Sequence, residues 1–327
     1  MWRDRSTLQI GRDAGAAVLA GVDEGARATL ALLDGTRDRD QLLRDAARVG
    51  CPPGRAADLL RLLETGGLLD DAAADRSALA RLDHAERERL SPDLGSLALL
   101  RRDGGLPAAE HRQGARVLVL GGGRVGAPLA ALLAAAGTGA VELVDEAAVR
   151  PQDAGIGGHG LGDVGRRRSE AAGERLHAAS PSVQPVREPD LVVLAPVRCE
   201  LLDAAREQLP AGVPHLLAEV RDTVGVVGPL VLPGRSACLR CVDLTRTDLD
   251  PGWPALAAQL SSPSRQADVC DGPLAVMVAA QAALQVLLLL DGTADPASVG
   301  GTLELALPDW RWRRRSWPLH PACGCAG

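Results

Sequence analysis

Residues 117–145 read VLVLGGGRVGAPLAALLAAAGTGAVELVD, and this stretch decides the fold. Residues 117–120 are four consecutive apolar residues, the pattern of a strand buried on both faces of a parallel sheet. They run into GGGRVG at 121–126, which satisfies G-x-G-x-x-G. An Ala/Leu-rich helix is predicted over 127–136, stopped by Gly137 and Gly139. A second strand follows at 141–144 and ends at Asp145. Each glycine has a physical role: Gly121 permits a tight turn, Gly123 lets the backbone approach a phosphate, and Gly126 allows close helix–strand packing. The helix N-terminus offers unpaired N–H groups and a positive dipole to an anion. Asp145 lies 19 residues after Gly126, where a carboxylate would take ribose hydroxyls. The glycines alone would be a weak signal. Set between strand, helix and strand, they predict an α/β, Rossmann-like fold with a mainly parallel sheet.

A second constellation is made of cysteines. Cys238 and Cys241 form a C-x-x-C, and Cys323 and Cys325 form a C-x-C with Gly324 between them. Two close pairs far apart in sequence suit a tetrahedral four-thiolate zinc site. Such a site is closed, so its expected role is structural: it pins residues 310–325 onto the sheet domain, with Trp310, Trp312 and Trp317 as packing residues. A redox reading of the C-x-x-C would need a thioredoxin-like setting, which the sequence lacks. Cys51, Cys199 and Cys270 read as buried or incidental thiols. His159 lies in the Gly-rich loop GIGGHGLGD, 155–163, which reads as a mobile crossover loop; a histidine facing the nucleotide cleft is the competing reading.

Composition bounds the rest. The chain has 327 residues, enough for two domains. A net charge of −6 argues against a general nucleic-acid binder, so the runs 166–168 and 313–315 read as solvated arginine faces. Phe, Tyr, Lys and Asn are absent, as expected for a GC-rich genome. With no lysine, arginine must supply every side-chain cation for a phosphate. The N-terminal MWRDRSTLQIGRD has no signal-peptide apolar core. The apolar stretch 274–290 carries Gln281 and Gln285 and falls short of a membrane span. A cytoplasmic chain with no membrane partner is the expectation, and in a reducing compartment clustered thiols suggest metal before disulfide.

Residues 1–75 read as a separate α+β unit. A strand is expected at 7–10, a helix at 24–33 capped by Asp23, a second helix at 38–48, a third at 54–64, and a strand at Leu68-Leu69. Helix, Asp-Gly-Thr-Arg turn, two helices and a Gly-Leu-Leu strand make a winged-helix pattern. Residues 28–69, ATLALLDGTRDRDQLLRDAARVGCPPGRAADLLRLLETGGLL, resemble the PqqD-like family of RiPP recognition elements. That resemblance implies a domain that clamps a leader peptide by adding it to a sheet edge. A DNA-binding winged helix is the competing reading, and the acidic balance stands against it. Residues 76–115 read as a linker with one helix near 77–90, and residues 116–327 as the second domain.

The second domain resembles the ThiF/MoeB/HesA family. The resemblance is carried by residues 117–149, by DVGRRRSEAAGERL at 163–176, PDLVVLA at 189–195, GPLVLPGRSACLRCVDL at 228–244 and GPLAVMVAAQAALQVLLLLDG at 272–292. It implies ATP with Mg²⁺, adenylation of a peptide or small-protein C-terminus, the family's structural zinc at the four cysteines, and a homodimer. The family's Asp-x-Asp is here Asp145-Glu146-Ala147, without the second acid. The family's loop Asn and Arg fall near Asp153 and Ile156, its lysine near Arg168, and its magnesium-handling Asp near Pro196-Val197-Arg198. Asp153, Asp163 and Asp190 are the candidate replacements for the lost acid. Positioned cations and metal carry the stabilisation that adenylation needs, so these losses point to a degenerate site. The combined architecture resembles ThiF-like proteins of azol(in)e RiPP clusters. It implies a precursor peptide and a YcaO-type cyclodehydratase as partners. An active adenylyltransferase is the alternative, and a DNA-binding regulator the third reading.

Overall fold

The computed structural model describes residues 1–12, 16–69, 71, 77–101, 105–196, 209, 211–260, 269–292 and 294–325. Val197, Arg198 and Cys199, which carry sequence expectations, lie outside the described residues. The chain divides into two compact units, one of residues 1–77 with 94–107 and the other of 78–93 with 108–327.

In the first unit, β1 (Leu8–Ile10) pairs antiparallel with β2 (Ala17–Leu19). Three helices follow: α1 (Glu24–Ala31), α2 (Arg39–Arg48) and α3 (Pro53–Thr65). Asp23 and Asp38 cap the first two, accepting the N–H of Ala26 at 2.8 Å and of Gln41 at 2.7 Å. Each such cap is worth about 1 kcal/mol. The Asp-Gly-Thr-Arg turn between α1 and α2 is built on Asp34, which accepts from the Thr36 hydroxyl, the Thr36 N–H and Arg37. These bonds hold its carboxyl down at about 2, the Thr36 hydroxyl contributing most. Leu19, Val22, Ala26 and Leu63 form the small core. Leu68 and Leu69 pack on it but form no strand, contrary to the sequence expectation. The reason is local: the Leu68 N–H is bonded back to the Leu63 carbonyl at the end of α3, so the segment closes the helix instead of joining a sheet.

Residues 77–114 hold more helix than a linker with one helix near 77–90. A 3₁₀ turn at Ser77–Arg81 precedes α4 (His84–Arg101), and α5 (Leu106–Gly114) leads into the sheet. Asp83 accepts the Glu86 N–H at 2.8 Å and fixes the start of α4. The helix runs through Pro92, which forfeits one backbone bond without ending it.

The second unit is organised by a seven-stranded sheet in the order β4-β3-β5-β6-β7-β8-β9. Strands β3 (Arg116–Leu120), β4 (Ala140–Val144), β5 (Leu191–Leu194) and β6 (His215–Arg221) are mutually parallel. Strands β7 (Val224–Val231), β8 (Gly301–Ala306) and β9 (Trp312–Ser316) continue antiparallel, so five of the seven strands run one way. Helix α6 (Gly126–Ala135) crosses from β3 to β4, and α7 (Arg168–Ala179) lies between β4 and β5. Helices α8 (Leu239–Leu249), α9 (Trp253–Leu260) and α10 (Gly272–Asp291) are inserted between β7 and β8.

Alternation along β3 splits the core. Val117 and Val119 join Leu129 and Leu133 of α6 and Leu274, Val278 and Val286 of α10, while Leu118 and Leu120 face a second cluster with Val192, Leu217 and Leu239. Leu129 and Leu133 have no exposed surface, and each is worth about 1.5–3 kcal/mol of burial. Helix α10 is long and apolar enough to cross a membrane by length and composition, yet one side of it lies in this core. Its last residue, Asp291, is buried and takes a two-pronged pair from Arg112 at 2.6 and 2.7 Å.

Candidate functional site

Strand β3 delivers Gly121 between its two neighbours: the Gly121 N–H donates to Val144 and the Leu120 carbonyl accepts from Ala195. Gly121 sits at φ +107°, and a Cβ there would lie 2.1 Å from the Ala195 oxygen. A Cβ on Gly126 would lie 1.9 Å from the Gly121 oxygen. Both positions therefore require glycine. Gly122, a free position in the motif, is equally confined: a Cβ would meet Leu143, Arg168 and Asp145 at 2.9–3.3 Å. The spacing pattern could not reveal this, because the crowding comes from β4 and α7.

Gly121, Gly123, Gly126, Asp145 and Arg168 come together at the C-terminal ends of β3 and β4. Asp145 Oδ2 accepts the Gly122 N–H at 2.8 Å and Arg168 at 3.0 Å, and Oδ1 accepts the Ala147 N–H at 3.0 Å. Arg168 is 3% exposed. Its remaining nitrogens reach Asp153 Oδ2 at 2.7 and 3.2 Å. Burial pushes the Asp153 carboxyl up, but Arg150 and Arg168 outweigh it and hold the group below the usual carboxylate range. The only cation at the position of the family lysine is thus shared between two carboxylates.

The other candidate acids are differently placed. Asp163 accepts from the Gly160 N–H, Arg175 and Arg166, closing its own loop. Asp190 pairs with Arg116 at 2.7 Å, at the start of β3 and β5 and so at the opposite end of the sheet from the glycine loop. Ile156, where the family arginine would fall, is 86% exposed.

Two residues that sequence reasoning undervalued touch the loop directly. Arg124, inside the motif, donates to the carbonyls of Gln152 and Cys270, both at 2.6 Å, and forms no ion pair among the described residues. With no lysine in the chain, an arginine within GGGRVG was the signal available. His159 is 1% exposed, and its Nε2 lies 2.7 Å from the Gly122 carbonyl.

The four cysteines also meet. Helix α8 starts from Cys238, Gly324 adopts φ +73° between the second pair, and all four sulfurs lie within 4.8 Å of one another. Cys238 is 3.4 Å from Cys323 and 3.8 Å from Cys241, and Cys241 is 3.4 Å from Cys325. A tetrahedron with metal–sulfur bonds of 2.3 Å has edges of about 3.8 Å, so the donor set fits a metal ion. The His320 N–H donates to the Cys241 sulfur at 3.4 Å. Burial raises the Cys241 thiol, but that bond and the Cys238 backbone bring it down to about 7. Burial and the neighbouring sulfurs push Cys323 up to about 12. Four thiols this close cannot all ionise without a cation among them. Trp317 packs beside the cluster and donates to Thr302 at 3.1 Å, Trp312 packs on the main core, and Trp310 is exposed.

Comparison with known proteins agrees with this architecture. Residues 97–195 match the ThiF family. A probable adenylyltransferase/sulfurtransferase MoeZ of Mycobacterium tuberculosis is 34% identical over 115 residues, which span 33% of this chain and 26% of that protein. Escherichia coli MccB, in a structure with AMPCPP and MccA, superposes with a TM-score of 0.67 at 16% identity, over 99% of this chain and 98% of that one. PaaA gives a TM-score of 0.72 at 20% identity, over 97% and 98%. At these identities the two structures establish the fold. The α/β expectation holds, and the ThiF resemblance is matched over residues 97–195; the PqqD-like character of the first unit rests on the sequence resemblance alone.

Proposed function

We propose that this chain binds a precursor or leader peptide through residues 1–75 and presents it for modification in RiPP biosynthesis, with ATP held at the glycine loop and an adenylation site of reduced power. The observation that carries the reading is the capture of Arg168 by Asp145 and Asp153. A cation committed to a buried and a half-buried carboxylate has little charge left to stabilise a departing pyrophosphate. Asp145 still has about one acceptor direction open for a ribose hydroxyl, since a carboxylate offers about four. In this reading Gly121, Gly123, Gly126, Asp145 and Arg168 form the nucleotide site. The MccB structures support a nucleotide and a peptide ligand: one holds AMPCPP with MccA, another ATP, and another N-formylated MccA. Val18 on β2 and Leu62 on α3 are exposed apolar side chains available to a peptide. The metal at Cys238, Cys241, Cys323 and Cys325 is zinc in a structural role, because four thiolates leave no open position. A homodimer, a cytoplasmic location and a YcaO-type cyclodehydratase as recipient complete the proposal.

The second reading is an active adenylyltransferase acting on a peptide or small-protein carboxylate. Arg124 favours it, because this guanidinium lies in the glycine loop and forms no ion pair among the described residues. ATP–pyrophosphate exchange by the zinc-loaded full chain with Mg²⁺ separates the two. Exchange that disappears in Asp145→Ala establishes the enzyme. Absence of exchange, with micromolar binding of a leader peptide to the full chain, supports recognition and delivery. Failure of both measurements refutes both readings.

A further inference from the structure

We infer that His159 is a positioning residue of the nucleotide loop, setting the Gly123 N–H for a ligand phosphate; the inference rests on the ATP-binding reading above. Gly122 is held from both ends. Its N–H donates to Asp145, and its carbonyl receives His159 at 2.7 Å. A carbonyl only accepts, so His159 Nε2 carries the proton. Nδ1 is buried and has no partner among the described residues.

The consequence lies in the next peptide unit. In a trans peptide the C=O and the following N–H point in opposite directions, and among the described residues only Gly228–Pro229 and Leu307–Pro308 are cis. Drawing the Gly122 carbonyl inward to His159 therefore turns the Gly123 N–H outward. Among the described residues the N–H groups of Gly123, Arg124 and Val125 donate to no carbonyl, and α6 has no side-chain cap. His159 thereby aims the first of a row of unpaired donors, which an anion can take together with the helix dipole.

The Gly-rich loop is shaped to bring the imidazole there. Gly155 N–H donates to the His159 carbonyl at 2.9 Å, closing a short ring of backbone. Gly157, at φ +75°, and Gly158 lie flat on the first turn of α6, where a Cβ on either would come within 3.2 Å of Pro128. The loop can be this close to α6 only without side chains, and that closeness is what lets His159 reach back under Gly122.

The test uses the full zinc-loaded chain and titrates ATP and adenosine into the wild type, His159→Leu, His159→Gln and His159→Asn. Adenosine lacks the phosphates that the Gly123 N–H would meet. His159→Leu is expected to weaken ATP at least tenfold and adenosine less than twofold. Gln, whose terminal amide nitrogen can occupy the Nε2 position, is expected to restore most of the ATP affinity, and the shorter Asn none of it. Equal losses for ATP and adenosine with no rescue by Gln, or wild-type ATP binding in His159→Leu, would overturn the inference while leaving the ATP reading intact. A wild type that binds neither ligand overturns both.

Discussion

The glycine-loop end of the sheet and the cysteine end of the same unit meet opposite electrostatic conditions. At the loop, Arg168 is enclosed by Asp145 and Asp153, with Arg150 also on Asp153, so the two carboxylates are neutralised within the protein. At the cysteines, four sulfurs lie within 4.8 Å and, among the described residues, no carboxylate or guanidinium bonds to them; backbone N–H groups, that of His320 among them, do. The carboxylates of the first region need no ligand. The second gathers groups that repel once ionised and needs an external cation to hold its shape. A nucleotide would therefore enter a preorganised loop, whereas the metal would be part of folding itself.

The largest expected effect comes from the side that depends on its ion. Cys323→Ser, or chelation of the wild type, should release the metal and cost more than ~5 kcal/mol, seen as a fall from one zinc per chain and a large drop in the thermal midpoint. A variant that keeps its midpoint without zinc would erase the contrast between the regions.

Next is the self-balanced side. Arg168→Ala takes the shared cation from buried Asp153 and half-buried Asp145, leaving Arg150 alone on Asp153, and should cost ~3 kcal/mol in denaturant unfolding. The pH dependence has a definite sign. Asp153 is held below its usual value, so in the wild type its contribution is present above the unfolded carboxylate pKa and is lost only as pH falls through the lowered value. Without Arg168 only Arg150 opposes burial, so the group rises from its lowered value and protonation then relieves part of the strain. The stability gap between variant and wild type should narrow from pH 7 towards pH 4; a gap that widens would mean Asp153 is not the partner left exposed.

A smaller effect is expected from packing. Gly126→Ala places a methyl group 1.9 Å from the Gly121 oxygen and should cost ~1–3 kcal/mol with loss of ATP binding. Equal stability with ATP binding intact would mean the loop is looser than its contacts indicate. The smallest change marks the baseline. Arg315 and Glu304 approach only to 3.7 Å at the surface, so Arg315→Ala should alter stability by less than ~0.5 kcal/mol.

Much of this was legible in the sequence because the decisive features are local. The glycine spacing, the strand–helix–strand order, the helix cap at Asp23 and the paired cysteines all follow from a few neighbouring residues whose φ/ψ needs or ligand spacing are fixed by chemistry. The misses came where a local signal met a longer-range alternative. Leu68-Leu69 had the composition of a strand, but the Leu68 amide was already taken by α3. The segment 76–115 had the charged, Gly/Pro-containing composition of a linker, but α4 and α5 occupy much of it.

What the sequence by itself determined is which groups are present: a Rossmann-like crossover, a glycine loop, an acid after the second strand and four thiolate donors. What only the tertiary structure decided is how those groups are used. Arg168 meets Asp153 because the crossover between β4 and α7 folds back on itself, His159 reaches Gly122 from 37 residues away, and Arg124 bonds Cys270 from 146 residues away. Spacing along a chain fixes contacts only within a turn or a strand pair; between elements, the packed path of the backbone chooses which charge meets which.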